Sequence, residues 1–396
     1  MPTLIIHRGG HEIGGTAIET RSARGRVLFD LGTPLDFDAR SETDGKILVE
    51  SGVLPDISGL YAWDTPAFDA IILSHAHLDH FGLLCYTHPS IPLYLSKGSK
   101  VLMELNARFL GGADLPGDCR VFEMYRSFSI ADMVVMPYLM DHSAFDAAAF
   151  EIATGGKRVI YTGDFRRHGR KAACFERFMR LVCPSPDILL CEGTTLGRGS
   201  EPAQTESELE SEIAEYLKAA EGVALFQCAS QNIDRLITFL RAATRAGRIM
   251  VIDRYTAVIL AELGKLGNRL PQAGKHPNLS IFPPENGQRA LYLARPSMME
   301  RFAKDEAIRN GLFLYSLWSG YRHEPRQAAF EEFLTQRGFS LVTAHTSGHA
   351  DEATLRKLME RLRPKQIIPI HTLYPERFAD YSDRVRVARN GEIIKL

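Results

Sequence analysis

In the stretch IILSHAHLDHFG, residues 71–82, the six positions from 75 to 80 hold His75, His77, Asp79 and His80. Imidazole nitrogens and carboxylate oxygens are the ligand types that zinc and manganese take. Where a chain leaves a strand, residues at i, i+2, i+4 and i+5 can converge on a small volume, enough to give two ligands to each of two ions. A chance run of solvated histidines is the alternative, and so dense a cluster argues against it. Two ions need further ligands and a bridge. Single ligand-type residues follow other apolar runs: His142 in YLMDHSAFD, Asp164 in VIYTGDFRRHG and His371 in IIPIHTLYP. Each alone reads as an ordinary surface or core residue. Behind a four-residue cluster they read together as the missing ligands.

The elements that must hold these residues are legible as short β-rich runs. RVLFDLG (26–32), DAIILSH (69–75), PLYLS (92–96), KRVIYTGD (157–164) and DILLCEG (187–193) read as buried strands, most of them ending in a polar residue and a turn. Functional side chains gather at such ends. From about 203 the pattern changes. TESELESEIAEYLKAAEG opens on a Thr205/Glu208 capping box and closes at Gly222, which predicts a helix. The strand GVALFQCAS, the helix QNIDRLITFLRAATRAG and the strand RIMVIDR then make a βαβ unit. The expected fold is α/β, with a βαβ-type domain over 196–345 inserted into a β-rich layered domain formed by 1–195 and 346–396.

Composition bounds the function. The chain has 396 residues, 45% hydrophobic and 24% charged, with a formal net charge of −1. Those values predict a globular protein with a real core, and any polyanion site must be a local patch. No apolar run nears the ~20 residues of a membrane span, and MPTLIIHRGG lacks the features of a secretory signal. The expected location is cytoplasmic, with no membrane partner. None of the six cysteines forms a C-x-x-C pair, so they read as reduced and mostly buried.

HAHLDH, with FDLG upstream and DHS, TGD and PIH downstream, resembles the metallo-β-lactamase fold. CEGTT (191–195), HTSGHA (345–350) and PIHT (369–372) resemble motifs A, B and C of its β-CASP branch, and RGGHEIGGTAIET…LFDLG resembles ribonuclease J and its relatives. The resemblance covers nearly the whole chain. It implies a four-layer αββα metallo-β-lactamase domain with an inserted β-CASP domain. That insertion is short for the family. With 25 residues after His371, no counterpart of ribonuclease J's C-terminal domain is expected.

The resemblance further implies two zinc ions, manganese being the substitute. His75, His77 and His142 would hold one ion, Asp79, His80 and His371 the other, with Asp164 bridging. A hydroxide shared by the metals would attack a phosphodiester, with Asp79 counted among the catalytic groups. Asp30 would orient a ligand histidine. His349 would stand beside the scissile phosphate, held by Glu192, while His345 and Ser347 would bond phosphate oxygens. Three further readings come from the residues themselves. Ser230, at a helix N-terminus with Gln231 and Asn232, could cradle a phosphate or merely cap the helix. Arg166, Arg167, Arg170 and Lys171 could track a nucleic-acid backbone or form a solvated charge run. Trp318 and Tyr321 could stack on a base, although core burial is the better expectation.

The function expected is a metal-dependent ribonuclease acting on RNA, single-stranded by preference, with room for a homodimer. The alternatives are a DNA nuclease of the same fold, a small-molecule hydrolase, and a non-catalytic RNA-binding subunit. His371 at motif C favours RNA, because the DNA-directed branch tends to carry valine there.

Overall fold

The computed structural model describes residues 1–35, 37, 43–112, 114–199, 202–267, 269–284 and 289–396. These divide into two compact units: Met1–Arg167 with Lys171–Pro202 and Gly348–Leu396, and His168–Arg170 with Ala203–Ser347. The sequence assigned 168–170 to the first domain. The structure gathers them into the second unit because Arg170 Nη2 donates to Glu210 Oε2 at 2.7 Å and to Thr238 Oγ1 at 2.8 Å, and Glu206 N donates to the His168 carbonyl at 3.0 Å.

The first unit contains strands β1 (Thr3–Arg8), β2 (Ala17–Arg21), β3 (Arg26–Phe29), β4 (Ala70–Ile72), β5 (Leu93–Leu95), β6 (Cys119–Val121), β7 (Phe128–Ile130), β8 (Met133–Leu139), β9 (Ala148–Thr154), β10 (Lys157–Tyr161) and β11 (Ile188–Glu192). The second unit contains β12 (Ala224–Gln227), β13 (Ile249–Val251), β14 (Leu279–Ser280), β15 (Ala290–Leu293), β16 (Leu312–Tyr315) and β17 (Ser340–Thr343), after which β18 (Gln366–Ile370) and β19 (Ile393–Lys395) return to the first. One sheet of the first unit runs β19-β1-β2-β3-β4-β5-β6 and the other β18-β11-β10-β9-β8-β7.

Side-chain alternation explains how these sheets pack. Val159 and Tyr161 of β10 and Ile188 and Leu190 of β11 point into a core shared with Leu4, Ile6, Phe29 and Ile72 of the first sheet. Their neighbours Ile160, Leu189 and Cys191 point the other way. There they meet Phe175 and Phe178 of a helix at Ala172–Leu181, and Leu355, Leu358 and Leu362 of another at Glu352–Leu362. Both faces of β10 and β11 are buried, which is why these strands read as continuous apolar runs.

Strand direction delivers the candidate ligands. β10, β11 and β18 are parallel, and β8 runs the same way because each of β8 and β10 pairs antiparallel with β9. Asp164, Glu192, His371 and His142 therefore leave one edge of the second sheet. Asp30 and His75 leave the parallel pair β3 and β4 of the first. The second unit is a parallel six-stranded sheet, β14-β13-β15-β12-β16-β17. The capping box Thr205/Glu208 forms as predicted and opens the helix Glu206–Ala219.

Candidate metal centre

The HAHLDH turn is fixed by backbone contact with the segment after β3. Leu31 N donates to the His80 carbonyl at 2.8 Å and Thr33 N to that of Leu78 at 2.9 Å. Between them a Cβ on Gly32 would lie 1.6 Å from the Asp79 carbonyl oxygen, so only glycine fits. Asp30 and His371 both adopt left-handed backbone, φ 58° and 50°. Such strain costs about 1–3 kcal/mol per residue and clusters at functional sites. His371 is held there by a 2.6 Å bond from its amide to the Gly9 carbonyl.

Hydrogen bonds around the histidines set their tautomers. Asp30 accepts from Ser74 N and Ser74 Oγ at 2.7 Å, from His80 Nδ1 at 2.8 Å, and from the Tyr161 hydroxyl. The Ser74 hydroxyl proton is thus spent, and its oxygen accepts from His75 Nδ1 at 3.0 Å. His142 Nδ1 donates to the Gly348 carbonyl at 2.6 Å. The Thr194 hydroxyl donates to the His371 carbonyl at 3.2 Å and can accept from His371 Nδ1 at 2.8 Å. In His75, His80 and His142 these bonds place a proton on Nδ1 and turn Nε2 inward, and the Thr194 hydroxyl turns Nε2 of His371 the same way.

Those Nε2 atoms converge; burial opposes charge on His80, but Asp164, Asp79 and Asp30 outweigh it and raise its pKa well above the usual imidazole range. His80 Nε2 is 3.1 Å from Asp164 Oδ2, His75 Nε2 3.8 Å and His142 Nε2 4.0 Å. His371 Nε2 is 3.2 Å from Asp79 Oδ2, and His77 Nδ1 is 3.2 Å from His142 Nε2. His75 Nε2 is buried with no hydrogen-bond partner, an orphan that a cation would satisfy. Ligand atoms of His75, His77 and His142 lie within 4.8 Å of one another, as do those of Asp79, His80, Asp164 and His371. The donor set fits metal ions of the zinc and manganese type.

Burial and charge polarise the cluster. Burial, with neighbouring histidines, holds His75 and His142 well below the usual imidazole range, and His77 falls to about 4. Burial would raise Asp164, yet His371, His80 and His349 hold its carboxyl well below the ordinary value. His349 Nδ1 lies 3.5 Å from Glu192 Oε1 and 3.7 Å from Asp164 Oδ2. Burial opposes its charge, but the two carboxylates prevail and raise its pKa. Glu192 is anchored by amides, accepting from Thr194 N at 3.0 Å, Ala350 N at 3.1 Å and Phe165 N at 3.4 Å.

The first unit thus gathers His75, His77, Asp79, His80, His142, Asp164, Glu192, His349 and His371, with Asp30 behind them. His345 and Ser347 fall in the second unit. There Arg235, fully buried, donates to Glu206 Oε1 at 3.0 Å, the Thr346 carbonyl at 3.0 Å and His345 Nδ1 at 3.1 Å, and His168 Nε2 donates to the Ser347 carbonyl at 2.8 Å.

Three expectations need correction. Arg166 is no phosphate contact: its side chain is fully buried and ion-paired with Asp141 at 3.2 Å. With Arg170 committed to Glu210 and Arg167 paired with Glu176 at 2.9 Å, the basic string is divided among protein partners. Ser230 is 3% exposed, and its hydroxyl is engaged by Thr256 and Arg295, while Asn232 caps its helix. Trp318 and Tyr321 are not core residues; they are 41% and 42% exposed. Sequence reasoning also missed Ser74 and Thr194, which hydrogen-bond the candidate ligands His75 and His371, and Tyr161, which donates to Asp30. Their signal was adjacency, since Ser74 precedes His75 and Thr194 lies within CEGTT.

Comparison with known proteins agrees with this architecture. Residues 56–224 match the beta-lactamase superfamily domain, and residues 341–392 match the Zn-dependent metallo-hydrolase RNA specificity domain. The chain thus combines a metallo-β-lactamase domain with an RNA-specificity segment, as its motifs implied. It is 24% identical over 390 residues to ribonuclease J of Helicobacter pylori (strain ATCC 700392 / 26695), covering 92% of this chain and 55% of that protein. It is 25% identical over 382 residues to ribonuclease J of Sinorhizobium meliloti, covering 87% and 66%. An RNase J-like protein of Methanocaldococcus jannaschii is 24% identical over 279 residues, covering 65% and 58%. The chain spans between half and two thirds of the length of these relatives. A solved structure of a protein of unknown function from Enterococcus faecalis V583 shares the fold across 100% of both chains, with a TM-score of 0.82 and 22% identity. Among the described residues no helix is long and apolar enough to cross a membrane.

Proposed function

We propose that the chain hydrolyses RNA phosphodiester bonds with two divalent cations, Zn²⁺ or Mn²⁺. His75, His77 and His142 would hold one, Asp79, His80 and His371 the other, and Asp164 would lie between them. The observation that carries this reading is the convergence of the Nε2 atoms of His75, His80 and His142 on one oxygen of Asp164, within 4.0 Å. When bound, the cations supply Lewis-acid charge at the phosphate and a water of lowered pKa.

The protein's own groups do the rest. Asp30, through Ser74 and directly, keeps His75 and His80 turned with Nε2 inward; the Gly348 carbonyl does the same for His142. Asp79 and Asp164 concentrate negative charge where cations would sit. His349, its pKa raised by Glu192 and Asp164, would carry the proton that the departing 3′-oxygen needs as the P–O3′ bond breaks, giving a 5′-phosphate and a 3′-hydroxyl. The six free thiols suit a reducing, cytoplasmic compartment.

The test is digestion of single-stranded RNA labelled at either end, beside a DNA strand of the same sequence, with Zn²⁺ or Mn²⁺ supplied. Cleavage of RNA to 5′-phosphate products is expected. Equal cutting of DNA would move the assignment to a DNA nuclease, and no cutting of either would overturn it.

A further inference from the structure

The strands of the second unit are all parallel, so their C-terminal ends form one edge. From β12 the chain steps outward to β13 and β14, returns to β15, then crosses to β16 and β17. Where an open parallel sheet reverses direction in this way, a crevice opens beyond the strand ends and ligands bind there. Here a cavity of about 840 Å³ opens at that position, bordered by Cys228 after β12, Arg295 after β15 and Leu317 after β16. That volume lies in the range of small-molecule sites.

Its chemistry is aromatic and cationic. Tyr321 lines it, half exposed, with Trp318 at 5.3 Å and 87° to its ring. The segment carrying both is pinned. The Tyr315 hydroxyl donates to the Trp318 carbonyl at 2.9 Å, Arg322 is held by Glu331 at 2.6 Å, and the Trp318 indole lies over Gly320, 2.4 Å from where a Cβ would be. Arg295 is fixed by Asp253 at Nε, 3.0 Å, and by Ser230 and Thr256 at Nη2. Its Nη1 makes no hydrogen bond among the described residues. Arg326, exposed and without an ion-pair partner there, lines the same cavity in the first turn of the helix Pro325–Gln336, whose N-cap side chain makes no capping bond. The wall beneath is closed by Gln227 and Gln327, buried and paired amide to amide at 2.7 and 3.1 Å. Glu324, also at the rim, offers a carboxylate of the kind that accepts from ribose hydroxyls.

We propose that this cavity is a nucleotide subsite, with a base stacked on Tyr321 and phosphate oxygens at Arg295 and Arg326. A pre-set aromatic face beside two available cationic groups is the pattern that binds single-stranded nucleic acid without sequence preference. The inference rests on the RNA reading for the source of the nucleotide, which is either a free mononucleotide or one unit of an RNA strand.

The chain has two tryptophans, so Trp63→Phe leaves Trp318 as sole reporter beside the site. This variant, otherwise the full chain, is titrated with AMP, adenosine, inorganic phosphate and a phosphorothioate oligoribonucleotide that resists cleavage. Saturable quenching by AMP or by the oligonucleotide is expected; the tighter of the two identifies the source. Tyr321→Ala should weaken binding roughly 5- to 100-fold, the usual loss for one base stack, and Tyr321→Phe should retain it. Arg326→Gln should weaken AMP but not adenosine. The proposal is overturned if neither nucleotide quenches, if inorganic phosphate quenches as well as AMP, or if Tyr321→Ala binds like the parent while its unfolding curve shows it folded. AMP binding in a chain that cuts no RNA would refute the proposed function and leave the subsite standing. RNA cleavage without nucleotide quenching would do the reverse.

Discussion

Replacing His349 by alanine separates proton donation from metal binding. The imidazole stands 3.5 Å from Glu192 and 3.7 Å from Asp164, and its ring is 5.6 Å from that of His371. It sits beside the ligands, and it also belongs to a third cluster, Asp164, Glu192, His349 and His371, whose ligand atoms lie within 4.8 Å of one another. If His349 donates a proton, His349→Ala should leave metal content and RNA affinity near wild type and lower turnover 10²–10⁴-fold. That range equals about 2.7–5.4 kcal/mol of barrier. The assay is single-turnover cleavage with metal analysis of the same sample. Loss of one metal per chain would make His349 a ligand and refute the argument, and full activity would refute it from the other side. Glu192→Gln is a poorer probe than its sequence position suggests. Both Glu192 oxygens accept from backbone amides, so an amide nitrogen at either would face another N–H, and fold and rate would suffer together.

Other perturbations test the supporting structure. Asp30→Asn should weaken metal binding roughly 10–100-fold in a competition titration, because it disturbs the partner of His80 and Ser74; unchanged affinity would remove Asp30 from the site. Arg235→Met should destabilise the chain by about 3–5 kcal/mol in denaturant unfolding, because it takes the guanidinium away from the buried carboxylate of Glu206; a loss under 1 kcal/mol would contradict the clamp on residues 345–346. Glu19 is buried and bonded to His7, Arg21 and Arg26, and although burial opposes it, these partners hold its carboxyl well below the ordinary range. Its folded pKa is the lower one, so its contribution is complete above the unfolded value of about 4.3 and is lost as pH falls below it. Glu19→Gln should flatten the acid limb of the stability profile, and an unaltered limb would refute that assignment.

The candidate cluster was legible because metal chemistry allows few residue types and six adjacent positions held four of them. The strands bearing them were legible because both faces are buried, leaving continuous apolar runs in β10 and β11. The helix that opens the second unit declared itself through the Thr205/Glu208 capping box. What stayed hidden depended on long-range pairing. Nothing local in IIKL marks β19, which among the described residues pairs with β1 alone. Nothing in DFRRHGRK separates a buried Arg166 from an exposed Arg167; the difference comes from Asp141, 25 residues away. Trp318 and Tyr321 looked like core because aromatics usually are, and their exposure, 41% and 42%, depends on packing that composition does not report.

Metal held by the histidine cluster and used in cleavage is the centre of the proposed chemistry. Elemental analysis of purified protein during stepwise chelation, with RNA cleavage and folding followed in the same samples, tests it most directly. Two divalent metals per chain at the start are predicted, with cleavage falling as they leave and returning when Zn²⁺ or Mn²⁺ is restored. A folded, metal-free chain that still cleaves RNA at the original rate would contradict it.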